Sequence, residues 1–249
     1  MRSLRTMASV LTVACLALAA CSSDDDTPSS DPAPSQPTSQ TTSQPAPTEA
    51  SVGAADTPGA MVESVVFKTA DLSGGGQVSL YPDGDQVQGQ VTLDECGFDF
   101  ASEADRVARR QVTIDSPDKG VRLSNEVVAY RDEASALAAM GEFVTAVKGC
   151  QPGVPVPSAA GGAEITYGEP RLVVSPEGFP VHASIQLFQE ISTGGQTYSG
   201  VIGFQQSGAL VDGVYLITDR PATDAQLAEL THVAEVTGRR LLDLAAPSA

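Results

Sequence analysis

The sequence predicts an α+β fold, an antiparallel sheet with helices packed on one face, carried by residues from about Met61 onward. Three observations predict it. Four extended segments between Glu169 and Thr218 follow one another, and Gly194-Gly195 and Ser207-Gly208 punctuate them as hairpin turns do. Asp132 to Gly149 has helical spacing, with Asp132 as cap and Gly149 at the stop. Thr223 to Leu244 opens on a capping box, Thr223 with Gln226, and places Leu227, Leu230, Ala234 and Leu241 on one stripe. Strands followed by helices in this order argue for α+β.

The elements follow in chain order. Glu63 to Asp71 is compatible with a short helix or a strand, and Gly74-Gly75-Gly76 ends it. Val87 to Leu93 alternates weakly and leads into Cys96. Arg106–Ile114 and Val121–Tyr130 read as extended, joined by the turn-forming Ser116-Pro117-Asp118-Lys119-Gly120. In the second of these, Val121, Leu123, Val127 and Ala129 share one parity, with Arg122, Ser124 and Glu126 on the other. In the Asp132 helix, Leu137, Met140, Val144 and Val147 form the expected apolar stripe. Gln151 to Gly162 reads as a loop. The strands Glu169–Val174, Val181–Ile191, Thr197–Gln205 and Leu210–Thr218 then form a meander, and the last is apolar on both parities, which suits a central position.

The chain begins with Arg2 and Arg5, then an apolar run from Met7 to Leu18 broken only by Ser9 and Thr12. That is the layout of a secretory signal peptide. The run is shorter than the roughly 20 residues a membrane span needs, and Asp24-Asp25-Asp26 follows it. Leu18-Ala19-Ala20-Cys21 resembles the lipobox of bacterial lipoproteins. The resemblance implies cleavage before Cys21 and acylation of its thiol, with palmitate-type chains holding the protein to the extracytoplasmic face of the cell membrane. The domains expected are therefore a signal peptide (1–20), a lipidated cysteine and tether (21–60), and a folded domain (61–249). The tether is rich in Ser, Thr, Pro, Gln and Asp, and lacks the apolar surface that would offset its ordering entropy.

Without residues 1–20 the chain keeps 14 − 2 = 12 basic residues against 31 acidic ones, a net charge of −19. Such a charge argues against binding nucleic acid or anionic headgroups. Cys96 and Cys150 remain once Cys15 and Cys21 are set aside, and in an oxidising compartment a pair reads as a disulfide.

Catalytic and metal motifs are absent from the sequence. There is no G-x-S-x-G, no H-E-x-x-H and no C-x-x-C. His182 and His232 lie apart, on a strand and in the last helix, and read as ordinary side chains. Tyr81-Pro82-Asp83-Gly84-Asp85 lacks the later ligands of a calcium loop and reads as a turn. One basic cluster stands out: Arg106, Arg109 and Arg110. It has two readings, an anion-binding patch or local pairing with Asp99, Glu103 and Asp105, and the second is preferred.

Phe67-Lys68-Thr69-Ala70-Asp71-Leu72, Leu93-Asp94-Glu95-Cys96 and the unit from Val127-Val128-Ala129-Tyr130 to Cys150 together resemble the extracellular sensor domain of PknH-type serine/threonine kinases. The resemblance covers about residues 61–245. It implies an α+β sensor-like domain with a surface cleft and no catalytic residues. Two departures are evident: the family usually has two disulfides where this chain offers one pair, and it places a Trp before the helix-end Cys where this chain has no Trp. The expectation is a non-enzymatic, membrane-anchored domain, without cofactor, that binds an unknown small ligand. An envelope scaffold or chaperone binding another envelope protein is the alternative, and a cell-wall-acting enzyme the third.

Overall fold

Two long strands, β2 (Arg106–Ser116) and β3 (Val121–Tyr130), open the sheet in the computed structural model, which describes residues 57–159, 161–174 and 183–245. Their turn is the predicted one. Pro117 starts a single 3₁₀ turn, and Gly120 ends it at φ +61°, a left-handed conformation that glycine takes without a side-chain clash. The expected signal peptide, Cys21, tether residues 22–56 and His182 lie outside the described residues, while residues 57–60, expected as the end of the tether, form the cap and first turn of a helix.

Before this hairpin come helix α1 (Pro58–Val65) and the short strand β1 (Gln77–Leu80). Thr57 caps α1, its hydroxyl accepting the Ala60 N–H, and Pro58 takes the first helical position, where no amide hydrogen is needed. After β3, Asp132 caps α2 (Glu133–Gly149) by accepting the Ser135 N–H at 2.8 Å. The short β4 (Pro155–Val156), β5 (Ile165–Tyr167) and β6 (Arg171–Val174) lead to the meander β7 (Ala183–Thr193), β8 (Gln196–Ser207) and β9 (Leu210–Thr218). Helix α3 (Asp224–Ala245) closes the domain through the capping box, Thr223 N–H donating to Gln226 Oε1 and Thr223 Oγ1 accepting the Gln226 N–H.

All neighbours are antiparallel, in the order β1-β2-β3-β9-β8-β7-β5-β4, and β6 shares the outer edge of β7 with β5. The class is α+β as predicted, and β9 is central as its two-sided apolar pattern requires. The helices, however, are divided between the faces rather than gathered on one. Val127, Leu210, Val214 and Leu216 meet Val62 and Val65 of α1 and Leu230, Val233 and Leu241 of α3. Their sequence neighbours Val128, Val211 and Tyr215, with Ile202 and Phe204, meet Ala136, Ala139, Met140 and Phe143 of α2 on the opposite face. Strands apolar on both parities need cover on both sides.

Two local expectations are corrected. Leu137 is exposed, and the buried stripe of α2 runs instead through Ala136, Ala139, Met140, Phe143, Ala146 and Val147. Small alanines let the helix sit close to the sheet, so Ala rather than Leu marks the inner face. Val87–Leu93 is a loop rather than a strand, because its polar groups are bound by side chains instead of a neighbouring strand.

The α3 face holds a polar core. Asp212, fully buried, accepts from Asn125 Nδ2 (2.6 Å), Thr237 Oγ1 (2.6 Å) and Gln205 Nε2 (3.2 Å). Asn125 Oδ1 also accepts the Phe67 N–H at 2.9 Å, which ties the chain after α1 to the sheet. No cation faces Asp212 in this set of bonds, and desolvation raises its pKa from 3.8 to about 7.

Candidate functional site

Strand β8 has 12 residues and α2 has 17. At about 3.3 Å per strand residue and 1.5 Å per helix residue, the strand is roughly 40 Å long and the helix roughly 25 Å. One helix cannot cover that face, and part of the sheet extends beyond it. There the structure has a groove of about 440 Å³.

Its walls come from period-two positions on four strands. Tyr198, Ile202 and Phe204 project from β8, Tyr215 and Ile217 from β9, Ile191 and Thr193 from β7, and Ile165 and Tyr167 from β5. Phe143 closes the α2 end, and residues 92–95 form the remaining wall. Phe204 packs edge-on against both Phe143 (4.8 Å between centroids) and Tyr215 (5.7 Å). Gly213 makes this packing feasible: a Cβ there would lie 2.7 Å from the Tyr215 hydroxyl and 2.9 Å from Phe204.

The 92–96 wall is fixed from several sides. Glu103 accepts the N–H groups of Thr92 and Leu93, both at 3.1 Å. Arg106 donates to Thr92 Oγ1 (2.9 Å) and to the Val87 and Gln90 carbonyls, and pairs with Glu103 at 3.0 Å. Tyr167 donates to the Asp94 carbonyl at 3.2 Å, and the Ala159 N–H donates to Asp94 Oδ2 at 3.1 Å. Cys96 and Gly97 then turn the chain with φ of +56° and +68°. A left-handed Cys costs on the order of 1 kcal/mol, so surrounding contacts must hold it there.

The Cys96–Cys150 disulfide supplies one such contact. The Cα atoms are 5.3 Å apart, inside the range a disulfide spans. It joins the C-terminus of α2 to the groove wall. In the chain-entropy model, closing its 54-residue interval stabilises the fold by about 4 kcal/mol.

Glu95 is the polar group at the centre of this wall. It is 3% exposed and lines the groove. One carboxylate oxygen accepts from Gln189 Nε2 at 2.6 Å. Burial pushes its pKa from 4.5 to about 7, with a smaller push from the Asp94 charge and an opposing pull from the Gln189 bond. Tyr167 and Tyr215 are likewise raised, first by burial and then by Glu95 and Glu126 respectively, so both stay protonated donors.

The three arginines do not converge on an anion. Arg109 and Arg110 are adjacent in β2 and point to opposite faces. Arg109 is buried against Glu126 and also donates to Gln111 and the Asp83 carbonyl. Arg110 pairs with Glu63 of α1 at 2.9 Å. Arg106 pairs with Glu103, as local pairing expects, while Asp105 goes to Arg131. In place of an anion patch, Arg106 and Arg109 brace the groove from behind: Glu126 also accepts from Thr92 and from the groove-lining Tyr215.

His232 bonds the Asp71 carbonyl and packs edge-on against Phe67. Among the described residues no group of three His, Cys, Asp or Glu is placed to hold a metal ion, and no helix is long and apolar enough to cross a membrane. In the sequence Glu95 stands only within the Leu93–Cys96 motif, and neither it nor the tyrosines carry a recognisable role. The available signal was the alternation Tyr198, Gly200, Ile202, Phe204 on a strand too long for its helix to cover.

No protein-family model matches the chain, and no curated protein sequence matches it. Among solved structures it is similar to the extracellular domain of PknH from Mycobacterium tuberculosis, at 12% identity over 72% of this chain and 95% of that one, with a TM-score of 0.44.

Proposed function

We propose that this chain is a lipid-anchored, extracytoplasmic, non-enzymatic binding domain of the sensor type, and that the groove beside α2 takes a small, largely apolar ligand. The groove carries the reading. Its volume of about 440 Å³ falls in the ~300–1,000 Å³ range of small-molecule sites, and its lining is apolar and aromatic with few polar groups. Its 92–96 wall and Tyr215 are held by the disulfide and by the Glu103, Arg106 and Arg109 contacts, so this side of the cavity is formed before a ligand arrives. Asp94 and Glu95 are consecutive, and Asp94 bonds the Ala159 backbone, which favours binding over a two-carboxylate hydrolysis.

Ile217 is 54% exposed at the mouth of the groove. Ile217→Asp removes an apolar wall at little folding cost, about 1 kcal/mol or less for an exposed site. The expected result is at least a tenfold loss of affinity for Nile red, a neutral apolar dye, measured by fluorescence titration. Unchanged dye affinity in a folded variant overturns the groove as the site.

Export and anchoring rest on the N-terminal pattern and Cys21, and a disulfide suits an oxidising compartment. Cys21→Ser is expected to abolish incorporation of an alkyne-tagged fatty acid in growing cells. Equal labelling of variant and wild type refutes the anchor.

A further inference from the structure

The groove holds a buried carboxylate with a free acceptor oxygen. Glu95 lines it, and only one of its carboxylate oxygens receives a hydrogen bond from the described residues. Gln189, whose amide makes that bond, has its own Oε1 buried with no partner. Gln189 has the same parity on β7 as the groove-lining Ile191 and Thr193 but lies behind the lining, where it orients Glu95. A buried carboxylate with no cation beside it is costly, and a ligand carrying positive N–H donors offsets that cost.

The charged and titratable groups that share the groove with Glu95 are known for the described residues. Its loop contributes Asp94, β5 Tyr167, β8 Tyr198 and β9 Tyr215, while α2 contributes Phe143 and β7 only neutral side chains. Among the described residues, no Lys or Arg lines the groove. Arg106 and Arg109, behind the loop, are committed to Glu103 and Glu126. A carboxylate or phosphate ligand would thus meet Glu95 with no compensating cation. An ammonium would meet a carboxylate and the faces of aromatic rings, which attract cations.

We infer that the groove's occupant is an apolar amine, its ammonium donating to Glu95 and its hydrocarbon lying along Leu93, Ile202 and Ile217. An ammonium carries three donors and no acceptor, which matches the free oxygen of Glu95. This assignment rests on the ligand-binding reading of the groove. Burial holds Glu95 near half-ionised at neutral pH, and a bound cation favours its ionised form.

The test is calorimetry on the purified chain at pH 7.5 with three ligands of equal chain length: octylamine, 1-octanol and octanoate. At that pH the amine is protonated, as a lysine would be. Octylamine is expected to bind at least tenfold tighter than octanol, and octanoate at least tenfold weaker than octanol. Glu95→Gln, an isostere that can still accept from Gln189, should reduce octylamine to the octanol level and change octanol less than threefold. Octanoate binding as well as octanol, or an unchanged octylamine affinity in Glu95→Gln, overturns the amine assignment while leaving an apolar site. If none of the three binds and Nile red is also not bound, the ligand-binding reading fails and the amine assignment with it.

Discussion

Glu95→Gln is expected to be more stable than the wild type at pH 7.5 by up to about 3 kcal/mol, and equal to it near pH 4.5. The folded-state pKa of Glu95 is raised from 4.5 to about 7, and one unit corresponds to about 1.4 kcal/mol. A carboxyl whose pKa is raised by folding costs nothing while it is protonated in both states, below about pH 4.5. Its cost then grows as pH climbs to about 7, where the folded form also ionises, and stays constant above that. Asp212, raised from 3.8 to about 7, follows the same course, so the wild type should lose stability from both groups between about pH 4 and 7. The comparison with Glu95→Gln isolates one of them, because every other titration is shared. Urea unfolding at several pH values measures the difference. A difference independent of pH would mean that Glu95 ionises normally in the folded protein.

Arg109→Met is expected to destabilise the domain by about 3–5 kcal/mol, the usual result of removing one partner of a buried ion pair. The Arg109 and Glu126 side chains are 2% and 3% exposed. Without the guanidinium, Glu126 retains only the hydroxyls of Thr92 and Tyr215 as donors, and Gln111 and the Asp83 carbonyl each lose a donor. The double variant Arg109→Met/Glu126→Gln removes the stranded charge and keeps an acceptor for one of the two hydroxyls, which sit on different carboxylate oxygens, so it should recover more than half of the loss. Because Tyr215 forms part of the groove, Arg109→Met should also weaken Nile red binding. A loss within about 1 kcal/mol for the single variant would show that Glu126 is not buried as a charge.

The sequence by itself determined the order and approximate bounds of the long elements. The signals involved act over a few residues: the Asp132 cap, the Thr223–Gln226 capping box, the Pro117–Gly120 turn and the two-residue alternation of β3. It also supplied the Cys96–Cys150 pair, because only two cysteines follow Cys21. It missed β1, β4 and β5, which have two to four residues and take their form from the strands they pair with.

Tertiary structure decided the rest. Arg109 and Arg110 form a basic cluster in sequence, yet strand geometry sends them to opposite faces, one to Glu126 and the other to Glu63 of α1. Helix placement was decided in the same way: alternation told which residues are apolar, but only the pairing of β9 between β3 and β8 put both of its faces indoors, with α3 on one and α2 on the other. The groove arises from a mismatch in length between strands and α2, and Glu95 lines it because contacts separated by many residues, to Cys150 and Gln189, fix the loop there. Local pattern fixes what a segment forms, since its hydrogen bonds and caps close within a turn. Which side chains meet across the sheet depends on register and packing, which no short stretch of sequence contains.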